Sequence, residues 1–387
     1  MKKIRILGTR GIPAQHGGFE TFAEHLALHL TKQDWEVVVY CQEEGQGKTY
    51  ETTWKGIKLI HIPVKQKRAL GTIIFDWKAT LHSCKDKNLA LVLGYNTAIF
   101  SILYRLLGIK SIMNMDGIEW KRHKWSKLEK IWLHFNERCG RWFSNHLIAD
   151  HPEIKNYLKK ETNENKITMI PYGADEIHNA DESILTQYGL KKREYAIVIA
   201  RPEPENSIYE IVHAFSQRKR NIKLVVLGNY DKAENLYKEK VFSAASGEVI
   251  FPGAIYDKEQ VSALRYHALF YAHGHQVGGT NPSLVEALGA GSPVLAHNNK
   301  YNKWVVKESS QFFSSKDECA EKITHLLENK ADLEQMRIKS KENFRENFTW
   351  LKILSAYEEL LSDWAGTEVE VEIKKHTTTN APYDPKN

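Results

Sequence analysis

Short apolar runs, mostly β-branched, alternate with amphipathic segments along most of the 387-residue chain, and this alternation limits the possible fold most. In the first half these runs are residues 4–7, 36–40, 58–62, 89–93, 111–115, 146–149 and 166–170. The pattern starts again in the second half, at residues 195–200, 223–227, 248–251, 268–272 and 293–296. Strands that alternate with helices form parallel sheets with helices on both faces. The sequence therefore predicts an α/β protein of two doubly wound, Rossmann-like domains, each with a ligand crevice at the carboxyl ends of its strands.

A polar, acidic stretch at about residues 172–194 separates the two halves, and a chain of this length exceeds one ordinary core. Apolar residues at helical spacing after residue 349 predict a last helix that packs back on the first domain. The tail carries alternating Val and Glu and then a polar run with Pro382 and Pro385, which is typical of disorder. The predicted divisions are a first domain at 1–175, a second at 176–348, the last helix at 349–365 and a disordered tail at 366–387.

Composition excludes several classes of protein. The chain is 42% hydrophobic and 26% charged, with a formal charge of +6, which are ordinary values for a globular protein. No apolar stretch reaches the roughly 18 residues needed to span a bilayer, and the start lacks the apolar region of a signal peptide. We therefore expect a cytoplasmic protein. The four cysteines lack metal-type spacing and predict free thiols: Cys41, Cys84, Cys139 and Cys319.

A glycine-containing loop at residues 8–20 follows the first predicted strand and opens the first predicted helix. Its Gly17-Gly18 pair would let the backbone approach a ligand closely, and the helix start would offer N–H groups to an anion. The alternative is a turn that needs glycine only for its conformation. The glycine spacing differs from the dinucleotide fingerprint, so a nicotinamide dehydrogenase is disfavoured.

A second helix start lies in residues 278–294. Asn281 is a favourable N-cap, and Pro282 suits the first helical position. We expect the N–H groups of Ser283 and Leu284 to face the crevice and to bind a diphosphate. Glu286, about one turn later, would accept hydrogen bonds from ribose hydroxyls. The alternative is a capped amphipathic helix with a surface glutamate.

These motifs carry a family resemblance. Residues 283–294 resemble the Leu-x-x-Glu-Ala-x-x-x-Gly-x-Pro-Val signature of the retaining GT-B glycosyltransferases of family 4, and residues 170–175 resemble that family's hinge. A narrower set of segments is similar to a bacterial subgroup that includes rhamnosyltransferases of capsule and cell-wall polysaccharide assembly: residues 8–20, 114–122, 201–206 and 273–283.

The resemblance implies a GT-B enzyme with a central cleft between an acceptor-side first domain and a donor-binding second domain. It would transfer a hexosyl or deoxyhexosyl group, such as rhamnosyl, from a nucleotide diphosphate sugar to a glycan or lipid-linked glycan, with retention. Products of that subgroup include capsule and lipopolysaccharide. In such chemistry the departing phosphate accepts the acceptor's proton, so the protein mainly orients substrates and stabilises charge. Neither a cofactor nor a metal is expected, since no Asp-x-Asp pair follows a first-domain strand.

Two positions depart from the family pattern. Gly278 stands where the family usually has the first of two glutamates, and Asn206 stands where it usually has a lysine against the diphosphate. Arg201 would then provide most of the side-chain charge on the phosphates, for which its planar fork is suited. We expect His275 to replace part of the missing carboxylate, the alternative being an ordinary loop histidine.

Further candidates lie at the rim of the first domain. Asp116 and Glu119 follow the run at 111–115, and in the resembling family that rim holds a residue near the transferred sugar. Trp120 would stack on a sugar ring, and with it His16 and Glu20 are predicted to contact the acceptor. The alternatives are an Asp-Gly turn for Asp116 and a core position for Trp120.

Basic and aromatic side chains interleave between residues 121 and 143. The cations are Lys121, Arg122, Lys124, Lys127, Lys130, Arg138 and Arg141, and the aromatic residues, with Trp120 just before them, include Trp125, Trp132, Phe135, Trp142 and Phe143. Such a segment suits an anionic membrane surface and predicts peripheral association with the inner face of the cytoplasmic membrane. A solvated helix face is the alternative. Nucleic acid is disfavoured because no nucleic-acid motif accompanies the segment.

Two rival functions stay open. A sugar-nucleotide 2-epimerase shares the two-domain architecture but would act on one substrate without an acceptor. A non-catalytic protein that binds a sugar nucleotide would explain the departures at Gly278 and Asn206.

Overall fold

The computed structural model describes residues 1–15, 17–230 and 236–365. His16 and the predicted disordered tail at 366–387 lie outside the described residues. The first eight strands form one sheet: β1 Lys3–Leu7, β2 Glu36–Glu44, β3 Tyr50–Trp54, β4 Ile57–Val64, β5 Leu89–Leu93, β6 Ser111–Asn114, β7 His146–Ala149 and β8 Ile167–Met169. Their order is β3-β4-β2-β1-β5-β6-β7-β8, and every pairing is parallel except β3 with β4. Five helices accompany them: α1 Gly18–Lys32, α2 Arg68–Ser83, α3 Ile102–Leu107, α4 Lys127–Phe143 and α5 Pro152–Leu158.

The second sheet has six strands: β9 Tyr195–Ile199, β10 Lys223–Leu227, β11 Val249–Gly253, β12 Phe270–His273, β13 Val294–His297 and β14 Ser310–Phe313. All pairings in the order β11-β10-β9-β12-β13-β14 are parallel. The later helices are α6 Ile208–Ser216, α7 Leu236–Ser243, α8 Lys258–Tyr266, α9 Pro282–Gly289, α10 Lys300–Val306, α11 Lys316–Glu328, α12 Lys330–Asn347 and α13 Trp350–Ala365. The predicted class of two doubly wound parallel sheets is therefore confirmed.

Most strands read as continuous apolar runs because helices cover both faces of a parallel sheet. In β9, for example, the first four residues are buried, and Tyr195, Ala196 and Ile197 are fully shielded. The two strands absent from the prediction are β3 and β14. β3 carries Glu51, Thr52 and Thr53, which are all exposed, and lies at the edge of its sheet as an antiparallel partner of β4.

The chain leaves the first domain near Ala174 and returns to it at Thr349, and these two residues form an isolated parallel bridge. α13 then packs against α1, where Trp350, Ile353 and Tyr357 join the core of the first domain. The Tyr357 hydroxyl accepts a hydrogen bond from Asn114 Nδ2 at 2.8 Å. α13 thereby places the Tyr357 side chain at the carboxyl end of β6 in the first sheet. Among the described residues, no helix combines the length and apolar character needed to cross a membrane.

Candidate functional site

A cavity of about 730 Å³ lies between the carboxyl ends of the two sheets. It brings together nine of the residues predicted from sequence: Gly17, Gly18, Asp116, Glu119, Arg201, His275, Asn281, Ser283 and Glu286. Four other predicted residues do not line it: Glu20, Trp120, Asn206 and Leu284. Arg122, Asp150 and Arg265, which sequence reasoning did not assign to a site of this kind, line it as well.

The start of α9 is organised by its cap. Asn281 Oδ1 accepts the N–H of Ser283 at 3.0 Å, and the Asn281 carbonyl accepts the N–H of Leu284 at 3.1 Å. Both amides that were predicted to bind a diphosphate therefore already have acceptors within the protein. The Leu284 side chain is fully buried in the second core, away from the cavity. The positive end of the α9 dipole still faces the cavity through Asn281, Pro282 and Ser283.

Glu286 is held by a partner that lies in another helix. Arg265, in the last turn of α8, places a guanidinium nitrogen 2.5 Å from Glu286 Oε2 and donates to Ser283 Oγ at 3.1 Å. The Arg265 side chain is 8% exposed and the Glu286 side chain 35%. The carboxylate is thus oriented from one side and open to the cavity on the other, so it can still accept hydroxyl hydrogens from a ligand.

Arg201 follows β9 and keeps 68% of its side chain exposed at the cavity. Arg201 forms a loose ion pair with Glu203, with 3.9 Å between its nitrogen and the carboxylate oxygen. Asn206 is buried and donates from Nδ2 to the Arg201 carbonyl at 2.9 Å. Asn206 therefore braces the backbone that carries Arg201 and does not itself reach the cavity.

His275 stands beside His273, with ring centroids 4.4 Å apart. Burial, together with the nearby cations Arg122 and Arg201, lowers the pKa of His275 to about 3. The ring is therefore neutral at pH 7 and can act as a hydrogen-bond donor or acceptor but not as a cation. Its Nδ1 atom is buried and has no hydrogen-bond partner within the described chain.

Two buried carboxyl groups form the wall on the first-domain side. Asp116 follows β6 with a positive φ of 50°, and its N–H donates to Asn114 Oδ1 at 2.9 Å. Burial and the neighbouring Glu119 raise the pKa of Asp116 to about 6. Asp150 follows β7, and burial with the charge of Asp116 raises its pKa to about 8. The two groups therefore carry less than their full negative charge at neutral pH.

Asp150 also contacts the second domain. Its Oδ2 accepts the N–H of Thr280 at 3.1 Å, and its carbonyl accepts the Thr280 hydroxyl. Within the described ranges its buried Oδ1 has no partner. A Cβ placed on Gly279 would lie 2.0 Å from that oxygen, so any larger residue there would have to displace the Asp150 carboxyl group. Gly278, which stands where the resembling family usually has a glutamate, lies in a loop. The next residue of that loop, Gly279, packs directly against Asp150 of the first domain.

Arg122 joins the domains by ion pairs. Its guanidinium contacts Glu119 at 3.0 Å and Glu203 at 2.8 Å, and its Nε donates to Glu205. Glu119 lies in the first domain, whereas Glu203 and Glu205 follow β9 in the second. Arg122 is therefore part of the interdomain contact. The sequence had suggested a free cation for a membrane surface, and this role does not fit the paired side chain.

The two glycine signals meet in space. Gly17 has a φ of 91°, and Gly18 starts α1 beside the Pro282 ring at the start of α9. Tyr172 donates its hydroxyl to the Gly18 carbonyl at 3.3 Å. The loop before α1 and the start of α9 consequently border the same end of the cavity.

The predicted acceptor residues are dispersed. Glu20 is buried and lines a second cavity on the other side of Gly17 and Gly18. Trp120 donates its Nε1 hydrogen to Glu137 at 2.7 Å and stacks on His134, so it packs on α4 and does not reach the central cavity. Trp120 therefore matches the core alternative.

α4 begins with a capping box formed by Ser126 and Glu129, and it presents apolar side chains to the surface. Exposed large apolar residues on it are Leu128, Ile131, Trp132, Phe135 and Trp142. Lys127 and Arg138 are exposed on the same helix. Arg141, in contrast, is buried and paired with Glu137 and Glu161, so it faces inward. The outer face of α4 thus combines exposed apolar side chains with a few cations.

No group of three or more metal-ligating side chains comes together in the part of the chain that the structure describes. Within the described ranges, the cavity presents one exposed guanidinium, two carboxylates paired with arginines, one neutral histidine and two carboxyl groups of raised pKa.

Comparisons with known proteins concern the two domains and their fold. Residues 1–175 match the family model described as a domain of unknown function (DUF1972), and residues 181–346 match the model for glycosyl transferases group 1. An uncharacterized glycosyltransferase of Methanocaldococcus jannaschii is 19% identical over an alignment of 388 residues, gaps included. The alignment covers 93% of this chain and 98% of the relative.

Several solved structures share the fold of this chain. Sucrose-phosphate synthase from Thermosynechococcus elongatus has a TM-score of 0.77 at 15% identity, and the match covers 94% of this chain and 99% of that one. Anabaena HepE in complex with UDP and glucose has a TM-score of 0.74 at 16% identity, with the same coverage of 94% and 99%. α,α-Trehalose 6-phosphate synthase from Burkholderia multivorans has a TM-score of 0.70 at 10% identity, covering 94% and 97%.

Proposed function

We propose that this chain, which is a glycosyltransferase of the GT-B fold, transfers a hexosyl or deoxyhexosyl group from a nucleoside diphosphate sugar to a saccharide acceptor in the central cavity. The observation that carries this proposal is that the two domains present chemically different walls to one cavity of about 730 Å³. The second-domain wall presents Arg201 and the start of α9, which suit an anion, and the first-domain wall presents carboxyl groups, which suit sugar hydroxyls.

The donor would lie against the second domain. Arg201 is the exposed cation of that wall, so it would bind the diphosphate, and the positive end of the α9 dipole would add to its field. Glu286, oriented by Arg265, would accept the ribose hydroxyls. The structures of HepE with UDP support a nucleoside diphosphate as ligand of this fold, although that likeness at 16% identity concerns the fold alone.

In the reaction the chain would act by positioning and by charge. Arg201 and the α9 dipole would stabilise the negative charge that grows on the leaving phosphate. His275, neutral and with a free buried Nδ1, would hydrogen-bond to the transferred sugar or to a phosphate oxygen without adding charge. Asp116 would accept a sugar hydroxyl across the cavity. With the leaving phosphate as the base, the anomeric configuration would be retained and neither a cofactor nor a metal would be needed.

The sugar and the product class rest on the resemblance of the sequence. The segments at 8–20, 114–122 and 273–283 are similar to the rhamnosyltransferase-like subgroup of family 4, which supports a deoxyhexosyl donor and an acceptor of capsule, cell-wall or lipopolysaccharide assembly. Profiling of bound and hydrolysed nucleotide sugars by mass spectrometry tests this. Release of nucleoside diphosphate from a deoxyhexosyl or hexosyl donor is expected, whereas an epimerised donor without release would favour the 2-epimerase.

We further propose that the enzyme works in the cytoplasm, at the inner face of the membrane, on a lipid-linked acceptor. The apolar outer stripe of α4 supports this, because Leu128 is 79% exposed, Ile131 66% and Trp142 60%. Exposed cations beside that stripe can meet anionic headgroups at about 1 kcal/mol each, and tryptophan suits the headgroup level.

Co-sedimentation with vesicles of phosphatidylglycerol and phosphatidylcholine at low and high salt tests the membrane proposal. Reversal of Lys127, Lys130 and Arg138 to Glu should abolish binding at low salt. The matched control reverses Lys219, Lys316 and Lys330, which are exposed on the second domain, and should leave binding unchanged. Absence of binding by the unaltered chain at low salt, or equal binding by both sets of variants, would leave α4 as a solvated helix face.

A further inference from the structure

A second cavity of about 320 Å³ lies within the first domain, at the carboxyl ends of β1, β2 and β5. It shares Gly17, Gly18 and Phe19 with the central cavity, so the first turn of α1 and the residue before it border both spaces. The side chamber, as we name this second cavity, has both polar and apolar lining; its polar side chains include Arg10, Glu20, Gln42, Thr72 and Asp76, and Asn96 lies at its edge.

The polar groups of the side chamber suit an uncharged ligand with several hydroxyls. Asp76 Oδ2 accepts the hydroxyl hydrogen of Thr97 at 2.8 Å, and burial raises the pKa of Asp76 to about 7. Near neutral pH this carboxyl can therefore either donate or accept a hydrogen bond. Glu20 adds a buried carboxyl group, and Gln42 adds an amide. A sugar ring presents hydroxyls that both donate and accept, which matches such a lining.

One edge of the side chamber borders an apolar surface. Asn96 lies at this edge, and its carbonyl accepts the Nε1 hydrogen of Trp132 from α4 at 2.9 Å. Trp77, next to Asp76 on α2, is 40% exposed and contacts Phe100 with ring centroids 5.1 Å apart. The chamber thus offers several polar groups inside, has an apolar surface at its outer border, and adjoins at its inner end the cavity where transfer would occur.

We propose that the side chamber binds a saccharide unit of a lipid-linked acceptor, with the lipid leaving along the surface formed by Trp77 and Trp132. This inference rests on the proposed function, since it concerns the acceptor of the same reaction. Asp76 is the specificity-determining residue of the chamber, because its carboxyl lies among the groups that a sugar hydroxyl would contact. Gly17 and Gly18 border both cavities, so an acceptor seated in the chamber would extend past this segment to bring its reacting hydroxyl to the donor.

Two variants at one position test the chamber. Asn96 is exposed, so Asn96→Trp should fold while its indole fills the edge of the chamber, and Asn96→Ala is the matched control. The probes are methyl and octyl glycosides of glucose, galactose, rhamnose and N-acetylglucosamine, measured by saturation-transfer NMR in the presence of UDP. At least one octyl glycoside should bind. Asn96→Trp should weaken it at least tenfold and Asn96→Ala less than twofold.

Asp76→Asn should also weaken glycoside binding at least tenfold, whereas Asp34→Asn at an exposed carboxyl should not. Trp77→Ser should remove the preference for octyl over methyl glycosides if the lipid follows this surface. Calorimetry with UDP separates the two proposals, because all of these variants should bind UDP as the unaltered chain does. UDP binding without any glycoside binding, or glycoside binding that Asn96→Trp leaves intact, would overturn the side chamber and leave the donor site standing.

Discussion

The contact between Gly279 and Asp150 gives the account its sharpest mutational prediction. A Cβ at Gly279 would lie 2.0 Å from Asp150 Oδ1 and 2.3 Å from Oδ2. Ordinary van der Waals separations are about 3.5 Å, so the carboxyl group must retreat by more than about 1 Å. That movement breaks the 3.1 Å hydrogen bond from the Thr280 N–H to Oδ2 and so opens the interdomain contact.

The cost can be bounded from this geometry. A buried donor or acceptor left without a partner costs about 1–3 kcal/mol, which corresponds to about a 5- to 150-fold change in an equilibrium. If transfer requires the closed arrangement, Gly279→Ala should lower kcat/KM by a factor in this range. Gly247→Ala is the control, because a Cβ there meets no atom within 4 Å.

A double-mutant cycle decides whether Asp150 is the cause. The assay is the rate of nucleoside diphosphate release from the donor that profiling identifies, with and without acceptor. In an Asp150→Ala background the added methyl group has no carboxyl to displace, so Gly279→Ala should then cost less than twofold. Unchanged kcat/KM in Gly279→Ala, or fully additive losses in the double variant, would refute the reasoning.

Three further predictions concern the donor, the metal and the pH. Arg201→Ala and Glu286→Ala should each weaken donor binding in calorimetry, by about 1.5–3 kcal/mol for a lost charged hydrogen bond, and unchanged affinity in both folded variants would contradict their roles. Activity should survive excess chelator, so loss with chelator and rescue by magnesium or manganese would contradict the metal-free mechanism. The pKa of Asp150 is raised from 3.8 to about 8, so the folded chain keeps a proton that the unfolded chain releases in this window. The free energy of unfolding should therefore fall as pH rises from about 4 to 8, and Asp150→Asn should reduce that slope in urea titrations; an unchanged slope would contradict the assignment.

Local signals predicted the elements well, because they act between residues close in sequence. Asn281 before Pro282 predicted the start of α9, where the Asn281 side chain indeed accepts from Ser283. The same local signal did not show that the N–H groups of Ser283 and Leu284 already donate to Asn281. The prediction that both amides are available to a diphosphate therefore needs correction. Edge strand β3 was missed because exposed Thr and Glu residues lack the apolar signal of a buried strand.

Long-range pairs were out of reach from the sequence. Arg265 and Glu286 lie 21 positions apart on different helices, and no pattern connects them before the sheet brings α8 beside α9. Asp150 reads as an ordinary residue after a strand until the fold places Gly279 against it. Arg122 belongs to a basic run in the sequence, yet three glutamates surround it in the structure. Each of these pairings depends on tertiary contacts between the domains or between non-adjacent elements.

The basic and aromatic segment shows a related limit. The interleaved pattern at residues 121–143 allowed a helix face, but it did not say which side chains point outward. The structure buries Arg141 and half-buries Trp125, while it exposes Leu128 and Ile131. An exposed apolar stripe and a basic face would contact different surfaces. Only the packing of the helix in the structure shows which of the two α4 presents.

The central claim is that the cavity between the domains releases a nucleoside diphosphate when it hands a sugar to an acceptor. The direct measurement supplies a panel of UDP-, GDP- and dTDP-sugars with a bacterial lipid extract as the acceptor source, and follows nucleoside diphosphate release and glycolipid mass together. One donor should give release, the extract should accelerate that release, and a glycolipid should gain the mass of one sugar residue. Arg201→Ala should suppress all three signals. Release of no diphosphate from any donor, or conversion of a donor to its epimer without release, would contradict sugar transfer in this cavity.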